Sequence, residues 1–352
     1  MRSGIREALA PCIRSVPGGA GIATKASPLM KWLPAIDSWH FNPYKFCQRN
    51  SVQMFCELGM EVMRQHGILE HFDISYEKLT SYLSYTAMKY STEVPYHNLV
   101  HACSVLQAMH FFLKSDFAKH LEKIEILVLL FVCIVQNMDH PGVNNAFVRQ
   151  VSQQGLGHLA PFGSGSVDSV EHILERHHIN VSFTALQMPQ LDFLSTMPED
   201  EFAAFKTVCA ELILVTDMSR HAEIMADLLT RRPTLDFSKA DDRILLMKLA
   251  LKCADVATLA MEPQVYKRAA ELFFQELHAQ GDRERAEGLP ISPLCDRSTF
   301  HMADTQTNIM SLMVMPMFEC FADMLKSETI KNVCVKQLQQ NIEQIPQIFH
   351  SS

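Results

Sequence analysis

Histidines and acids fall together at four places in the chain: Tyr96-His97-Asn98-Leu99-Val100-His101, Asp139-His140-Pro141-Gly142, Glu175-Arg176-His177-His178 and Cys253-Ala254-Asp255. Imidazoles and carboxylates supplied by separate helices are the parts from which a metal site in a helical bundle is built. His97 and His101 are four apart, so a helix over that segment would put them on one face. Taken alone, a pair at that spacing is better explained by core-satisfied or surface histidines. Asp255 sits in the mostly apolar stretch Leu245 to Leu259, where a buried carboxylate needs a metal, a cation or several donors. The plainer alternative pairs it with Lys252 on an exposed face. Asp217, in Asp217-Met218-Ser219-Arg220-His221, belongs to a helix-end network or to a site wall. Gln306, taken singly, is an ordinary solvent-facing glutamine between two apolar helical turns.

The elements that must position these residues are helices. Apolar residues recur at three and four in Val105, Leu106, Met109, Phe112 and Leu113, then through Ile124 to Ile134, and each stretch predicts one core-facing stripe. The same period runs through Phe202 to Leu229, Arg243 to Leu259, Val265 to His278 and Asp304 to Leu325. No alternating strand pattern competes. Ser152 to Ser166, with Gly155, Gly157, Gly163 and Gly165, predicts a loop. A second loop is expected over Gly281 to Pro293, where Pro290 and Pro293 stop a helix. The fold class expected is all-α, a single compact multi-helix bundle over residues 33–348, preceded by a basic, flexible arm over 1–32.

Composition excludes several function classes. The formal net charge is −8, which opposes nucleic-acid binding, since phosphate contacts need a basic face. With 48% hydrophobic and 20% charged residues, the chain has the makings of a large core and is not disordered. The ten cysteines form no CxxC pair and predict free thiols in a reducing compartment. The longest apolar run, Ile126 to Val135, is half of the roughly 20 residues a spanning helix needs, so no membrane span is expected. The arm carries Arg2, Arg6, Arg14, Lys25 and Lys31 against the single acid Glu7, a balance that suits a mitochondrial transit peptide as well as a disordered tail. Cytoplasmic localisation is the first expectation, with the mitochondrion as the alternative.

In their order, YHNLVHA at 96–102, DHPGVNNAF at 139–147, ERHH at 175–178, TDMSRH at 216–221, KCADV at 252–256 and QGDRERAEGLPISPLCDR at 280–297 resemble the catalytic domain of class I cyclic nucleotide phosphodiesterases. The resemblance runs from about residue 36 to about residue 345. It implies the HD-domain type of helical bundle. It also implies two adjacent divalent metals, zinc and magnesium or manganese, sharing a hydroxide that attacks the cyclic phosphate of cAMP or cGMP. By the same resemblance His97 is the general acid for the departing 3′ oxygen. His101 and Asp255 are two ligands of the tight metal, and Gln306 hydrogen-bonds the purine. Tyr96 and Thr258 line the substrate pocket, while Asp139, His140, Glu175, His178 and Asp217 form its wall.

Several positions depart from the family pattern. Where the family places a His-Asp pair of metal ligands, this chain has Gln136 and Asn137. Zinc prefers imidazole, thiolate and carboxylate, so neutral amides are poor replacements. The aromatic residue expected three after the purine glutamine is Ile309. Thr258 stands where many adenine-reading members carry asparagine, and the Gly/Ser stretch replaces an acidic turn before Glu175. Three functions follow. One is a cyclic nucleotide phosphodiesterase of reduced activity. Another is a non-catalytic relative serving as cyclic nucleotide sensor or regulatory scaffold. The third is some other metal-dependent phosphohydrolase, which the 280–297 loop fits poorly. Expected partners are a cyclic nucleotide, with a second copy or a regulatory protein in addition.

Overall fold

The computed structural model describes residues 28–162 and 170–349. Thirteen helices of eight residues or more build these parts, and the described residues contain no β-strand. They are α1 (Ser51–Gln65), α2 (Tyr76–Lys89), α3 (Leu99–Phe112), α4 (Lys123–Val135), α5 (Asn145–Gln153), α6 (Ile173–Leu186) and α7 (Glu199–Leu214). There follow α8 (His221–Arg231), α9 (Ala240–Asp255), α10 (Pro263–Ala286), α11 (Met302–Ile309), α12 (Met315–Leu325) and α13 (Lys336–Phe349). The all-α bundle expected from the periodicity is what is found. The expected arm lies outside the described residues through residue 27. Pro28–Trp32 is already a helical turn, with Leu29 buried and its N–H donated to Glu57 Oε2 at 3.1 Å.

Helices α3 and α4 form the centre. Every residue of α4 from Glu125 to Val135 is buried, as is α3 from His101 to Phe112. A helix apolar on all sides must be enclosed on all sides. Helices α1 and α9 pack on α3, and α7 packs on α4. Helices α4 and α9 run parallel, clipped at both ends. At the start, Arg243 of α9 donates to Glu125 Oε1 at 2.9 Å and to Glu122 Oε1 at 2.7 Å. Those two glutamates also form the capping box of α4. At about 1.5 Å of rise per residue, Glu125 to Gln136 spans about 17 Å and Arg243 to Asp255 about 18 Å. The ion pairs at one end thus bring Gln136 and Asp255 level at the other.

Helix α10 organises the opposite wall. It continues to Ala286, so the loop expected from Gly281 begins only at residue 287. The reason is burial: Glu284 faces inward and accepts from Gln280 Nε2 (2.8 Å), Ser292 N (2.7 Å) and Ser292 Oγ (2.6 Å). A Cβ on Gly281 would lie 2.0 Å from the Cys295 carbonyl oxygen. Backbone cannot give way as a side chain can, so Gly281→Ala should destabilise by at least the ~1–3 kcal/mol typical of overpacking. Thermal unfolding reads this as a lowered Tm, and an unchanged Tm would mean that the loop is not held against α10.

The period seen over Phe202 to Leu229 is two helices, α7 and α8, because Asp217 caps a new turn by accepting from Ser219 N at 2.8 Å. The loop expected over 152–166 follows α5 where described, and Gly163 to Ser166 lie outside the described residues. Among the described residues, 302–325 is the one helical stretch long and apolar enough to cross a membrane, by length and composition alone. Its two halves pack on α13 and α9, the contacts of a core helix. No disulfide joins any two of the nine described cysteines.

Candidate active site

The first histidine pair is placed by a cap, not by a shared helical face. Asn98 is the N-cap of α3: its Oδ1 accepts from Val100 N at 2.9 Å and its Nδ2 donates to Val94 O and Pro95 O. His97 therefore lies before the helix and His101 in its first turn. Their rings meet edge to face with centroids 5.5 Å apart. Tyr96 covers both, 4.9 Å from the His97 ring and 4.7 Å from that of His101.

Glu276, in the middle of α10, fixes this turn. Its Oε2 accepts from the backbone N–H of Tyr96 (2.9 Å) and His97 (3.0 Å), and its Oε1 pairs with His97 Nδ1 at 2.6 Å. Burial alone would lower the His97 imidazole, but the Glu276 charge and hydrogen bond outweigh it and hold His97 above its ordinary value. Conversely, burial would raise Glu276, and His97 keeps its carboxyl below the usual range. A protonated imidazole with Nε2 directed away from its carboxylate partner can deliver a proton. Sequence reasoning missed Glu276, which reads as one more acid on an amphipathic helix; the one available signal is its place just after Phe273 and Phe274.

After α4 the chain turns sharply, with Asp139 at φ 65° and Gly142 at φ 72°. The turn stacks the His140 ring on His97, with centroids 4.3 Å apart, and on the far side against His178 at 5.6 Å. His140 Nδ1 accepts from Gly142 N at 3.1 Å. Burial, reinforced by the neighbouring histidines, pushes His140 well below its ordinary value. Burial pushes His178 down to about 3, and its Nδ1 donates to Met138 O at 2.7 Å. Asp139 pairs with His177 Nε2 at 2.9 Å. Glu175 and Asp217 meet across Asn145, whose Nδ2 lies 3.0 Å from Glu175 Oε2 and 3.2 Å from Asp217 Oδ2. His172 reaches the same Asp217 oxygen at 2.8 Å. Asn145 lies within the DHPGVNNAF motif but was given no role there, and the sequence drew no attention to His172.

Asp255 closes α9 at the centre of this wall. Its Oδ1 accepts from Gln136 Nε2 at 2.7 Å and pairs with His101 Nε2 at 3.0 Å. Burial alone would raise its carboxyl, yet the His101 hydrogen bond and charge hold it below the ordinary range. Several donors thus answer the demand made by a carboxylate in an apolar helix. The suggested partner Lys252 instead turns away and donates to Val215 O at 3.1 Å. Gln136 Oε1, Asn137 Oδ1 and His101 Nδ1 are buried without hydrogen-bond partners.

Thr258 and Tyr96 border a recess that also takes in Tyr44, His101 and Leu272. Gln306 is buried, not solvent-facing, with its Oε1 unpartnered. It lies on α11, three residues before the half-buried Ile309, so the two share a helix face. Among the described residues no hydrogen bond joins them to the histidine cluster.

An all-helical shell surrounds a cluster of stacked imidazoles and inward carboxylates, side chains of the kinds that can hold a divalent metal. The family follows from comparison: a model described as 3'5'-cyclic nucleotide phosphodiesterase matches residues 96–338, and the chain belongs to that family. It is 29% identical over 306 residues to 3',5'-cyclic-AMP phosphodiesterase 4C of Mus musculus, covering 84% of this chain and 43% of the relative. To the Rattus norvegicus protein of the same name it is 28% identical over 328 residues, covering 89% and 60%. The "Probable 3',5'-cyclic phosphodiesterase pde-1" of Caenorhabditis elegans is 28% identical over 298 residues, covering 84% and 42%. The chain thus spans about half the length of the relatives it matches.

The family implies divalent metals, and acid and histidine groups able to hold one are present, among them His97, His140 and Glu276. The residues that the resemblance assigns to the tight metal fit a zinc poorly. Two of four positions offer carboxamides, and one of these occupies Asp255 Oδ1 as a donor. Turning the Gln136 amide over would set its oxygen against the carboxylate, two acceptors face to face.

Proposed function

We propose that this chain binds a cyclic nucleotide, cAMP or cGMP, with His97 toward its phosphate and Gln306 toward its purine, and hydrolyses its 3′ ester slowly or not at all. One observation carries the reading: Asp255 Oδ1 is hydrogen-bonded by both Gln136 and His101, the first standing where a zinc ligand is expected. The other parts of a phosphodiesterase pocket support binding. His97 is paired with Glu276, which holds its imidazole above the ordinary value, beside the stacked His140, a placement that suits giving a proton to a leaving oxygen or binding a phosphate. Gln306 offers a buried, unpartnered carbonyl, and a purine edge supplies the donor that it lacks. Its amide also carries a donor, so either purine edge can be met.

The binding role is tested with radiolabelled cAMP and cGMP at equilibrium. Saturable binding is expected, weakened about tenfold to a hundredfold by Gln306→Ala, the ~1–3 kcal/mol of an unmade buried hydrogen bond. Absence of saturable binding would leave the regulatory scaffold as the better reading. We place the protein in the cytoplasm on its cysteine pattern, with the basic arm as the route to a mitochondrial alternative. A second copy or a regulatory protein is the partner class proposed besides the nucleotide.

A further inference from the structure

Asp37, His110 and His66 form a hydrogen-bonded row apart from the histidine cluster of the candidate site. His110, fully buried on α3, stands in the middle: its Nε2 lies 2.9 Å from Asp37 Oδ1, and its Nδ1 lies 2.9 Å from Nε2 of His66 at the end of α1. Asp37 closes the turn Leu33–Ile36, and its Oδ2 also accepts from Lys114 Nζ at 2.7 Å. One turn earlier on α3, Gln107 Nε2 donates to Ile36 O and Ser38 O, both at 2.9 Å. The strap fastened in this way continues through Trp39, whose Nε1 donates to Ala260 O at 2.6 Å. It then reaches Pro43 and Tyr44, which line the recess beside Tyr96, His101 and Thr258.

The partners fix every hydrogen in the row. Burial would raise the Asp37 carboxyl, but hydrogen bonds from His110 and Lys114 hold it below the usual range, so it is ionised and only accepts. His110 Nε2 therefore carries a proton, its Nδ1 is a lone pair, and His66 Nε2 donates to that lone pair. A proton added at His110 Nδ1 would set two N–H groups face to face. One added at His66 Nδ1 would place a cation near Lys123, whose Nζ donates to His66 O at 2.6 Å. The charged groups around the two rings are Asp37, Glu61 with its partner Arg64, Lys114 and Lys123. With three cations already set against two carboxylates, no anion is left to balance another positive charge. Burial, reinforced by His110, Lys123 and Lys114, pushes His66 down to about 3. Burial lowers His110 as well, and Asp37 offsets this only in part.

We infer that the row Asp37, His110 and His66 is an acid-sensitive clasp, which holds the strap 32–39 on α1 and α3 while both imidazoles are neutral and releases it as they take up protons. The sign follows from linkage. Opening returns the rings to the ordinary value of about 6.5, so the open strap binds more protons than the closed one and the clasp weakens as pH falls below that value. Each imidazole set free multiplies the opening constant by close to ~10 per pH unit between its closed and open values. The inference is independent of nucleotide binding and of any metal.

The test uses the full chain labelled with ¹⁵N-tryptophan. Both tryptophans, Trp32 and Trp39, lie on the strap, so their indole signals report on it alone. Hydrogen exchange of the Trp39 indole N–H, corrected for its intrinsic pH dependence, is read by NMR, and exchange of the α4 amides by mass spectrometry. Opening at Trp39 is expected to rise at least about fivefold between pH 6 and pH 5 while α4 stays protected. His66→Gln keeps an Nε2 donor toward His110 but cannot take a charge, and should show less than half of that rise. Asp37→Asn removes the charged acceptor of His110 and Lys114 and should raise opening at least about tenfold already at pH 7. Opening that ignores pH, an equal rise in His66→Gln, an Asp37→Asn chain closed as tightly as the wild type, or a strap that opens only together with α4 overturns the inference. If circular dichroism shows that His66→Gln does not fold, Asp37→Asn and the comparison with α4 in the wild type decide the matter.

Discussion

Gln136→His combined with Asn137→Asp should raise cAMP or cGMP hydrolysis by at least roughly 10² to 10⁴-fold in the presence of Zn²⁺, Mg²⁺ or Mn²⁺. The magnitude follows from a lower bound, since disturbing even a partner behind a metal ligand costs about 10 to 100-fold, and the resemblance puts two direct metal ligands at these positions. The geometry favours rescue. Position 136 is buried at the end of α4 and already touches Asp255, because the α4–α9 pair is clipped in register by Arg243. An imidazole there would meet Asp255 and His101 across a shared ion. At position 137 the buried, unpartnered Oδ1 becomes a carboxylate oxygen with a charge to place against a cation. Turnover at family-like rates in the unaltered protein, abolished by His97→Ala, would refute the impairment. If both proteins are inactive, Ile309 and Thr258 in the base pocket become the cause.

Glu276→Ala should lower stability by ~3–5 kcal/mol, the cost of removing one partner from a buried ion pair. Three donors lose their acceptor together: the Tyr96 and His97 backbone N–H groups and the His97 ring. The effect on protonation has a definite sign. Burial lowers His97 and Glu276 is the foremost group raising it, so without the carboxylate the imidazole titrates lower than in the wild type. In the wild type the raised value means that the pair's contribution is full at low pH, down to where Glu276 itself protonates, and fades as pH rises through the His97 value. NMR titration of the His97 ring in the milder Glu276→Gln variant should show the drop. An unchanged His97 titration would mean that some other group sets its proton.

The helices were legible because burial imposes a period that composition cannot disguise, and α4 was visible as ten consecutive apolar residues. Their ends were less so. Val265 to His278 extends to Ala286 because Glu284 finds its partners in Ser292, a contact that depends on how the following loop folds back. The family motifs named His97, His101, His140 and Asp255, and the structure sets these side chains against one another. What stayed hidden is what holds them. Glu276 stands 180 positions from Tyr96 in the chain, and apart from its place just after Phe273 and Phe274 nothing local distinguishes it from the acids Glu271 and Glu287. His172 lay beyond the quoted ERHH motif, and its meeting with Asp217 depends on packing between α6 and α7.

Anomalous diffraction at the zinc edge, from crystals of the unaltered protein grown with zinc and magnesium, reads the Asp255 site directly. With the Gln136 amide and the His101 ring occupying the carboxylate, no peak within bonding distance of Asp255 is expected. A fully occupied peak there, ligated by the side-chain oxygens of Gln136 and Asn137, would contradict closure of the site and restore a working metal centre.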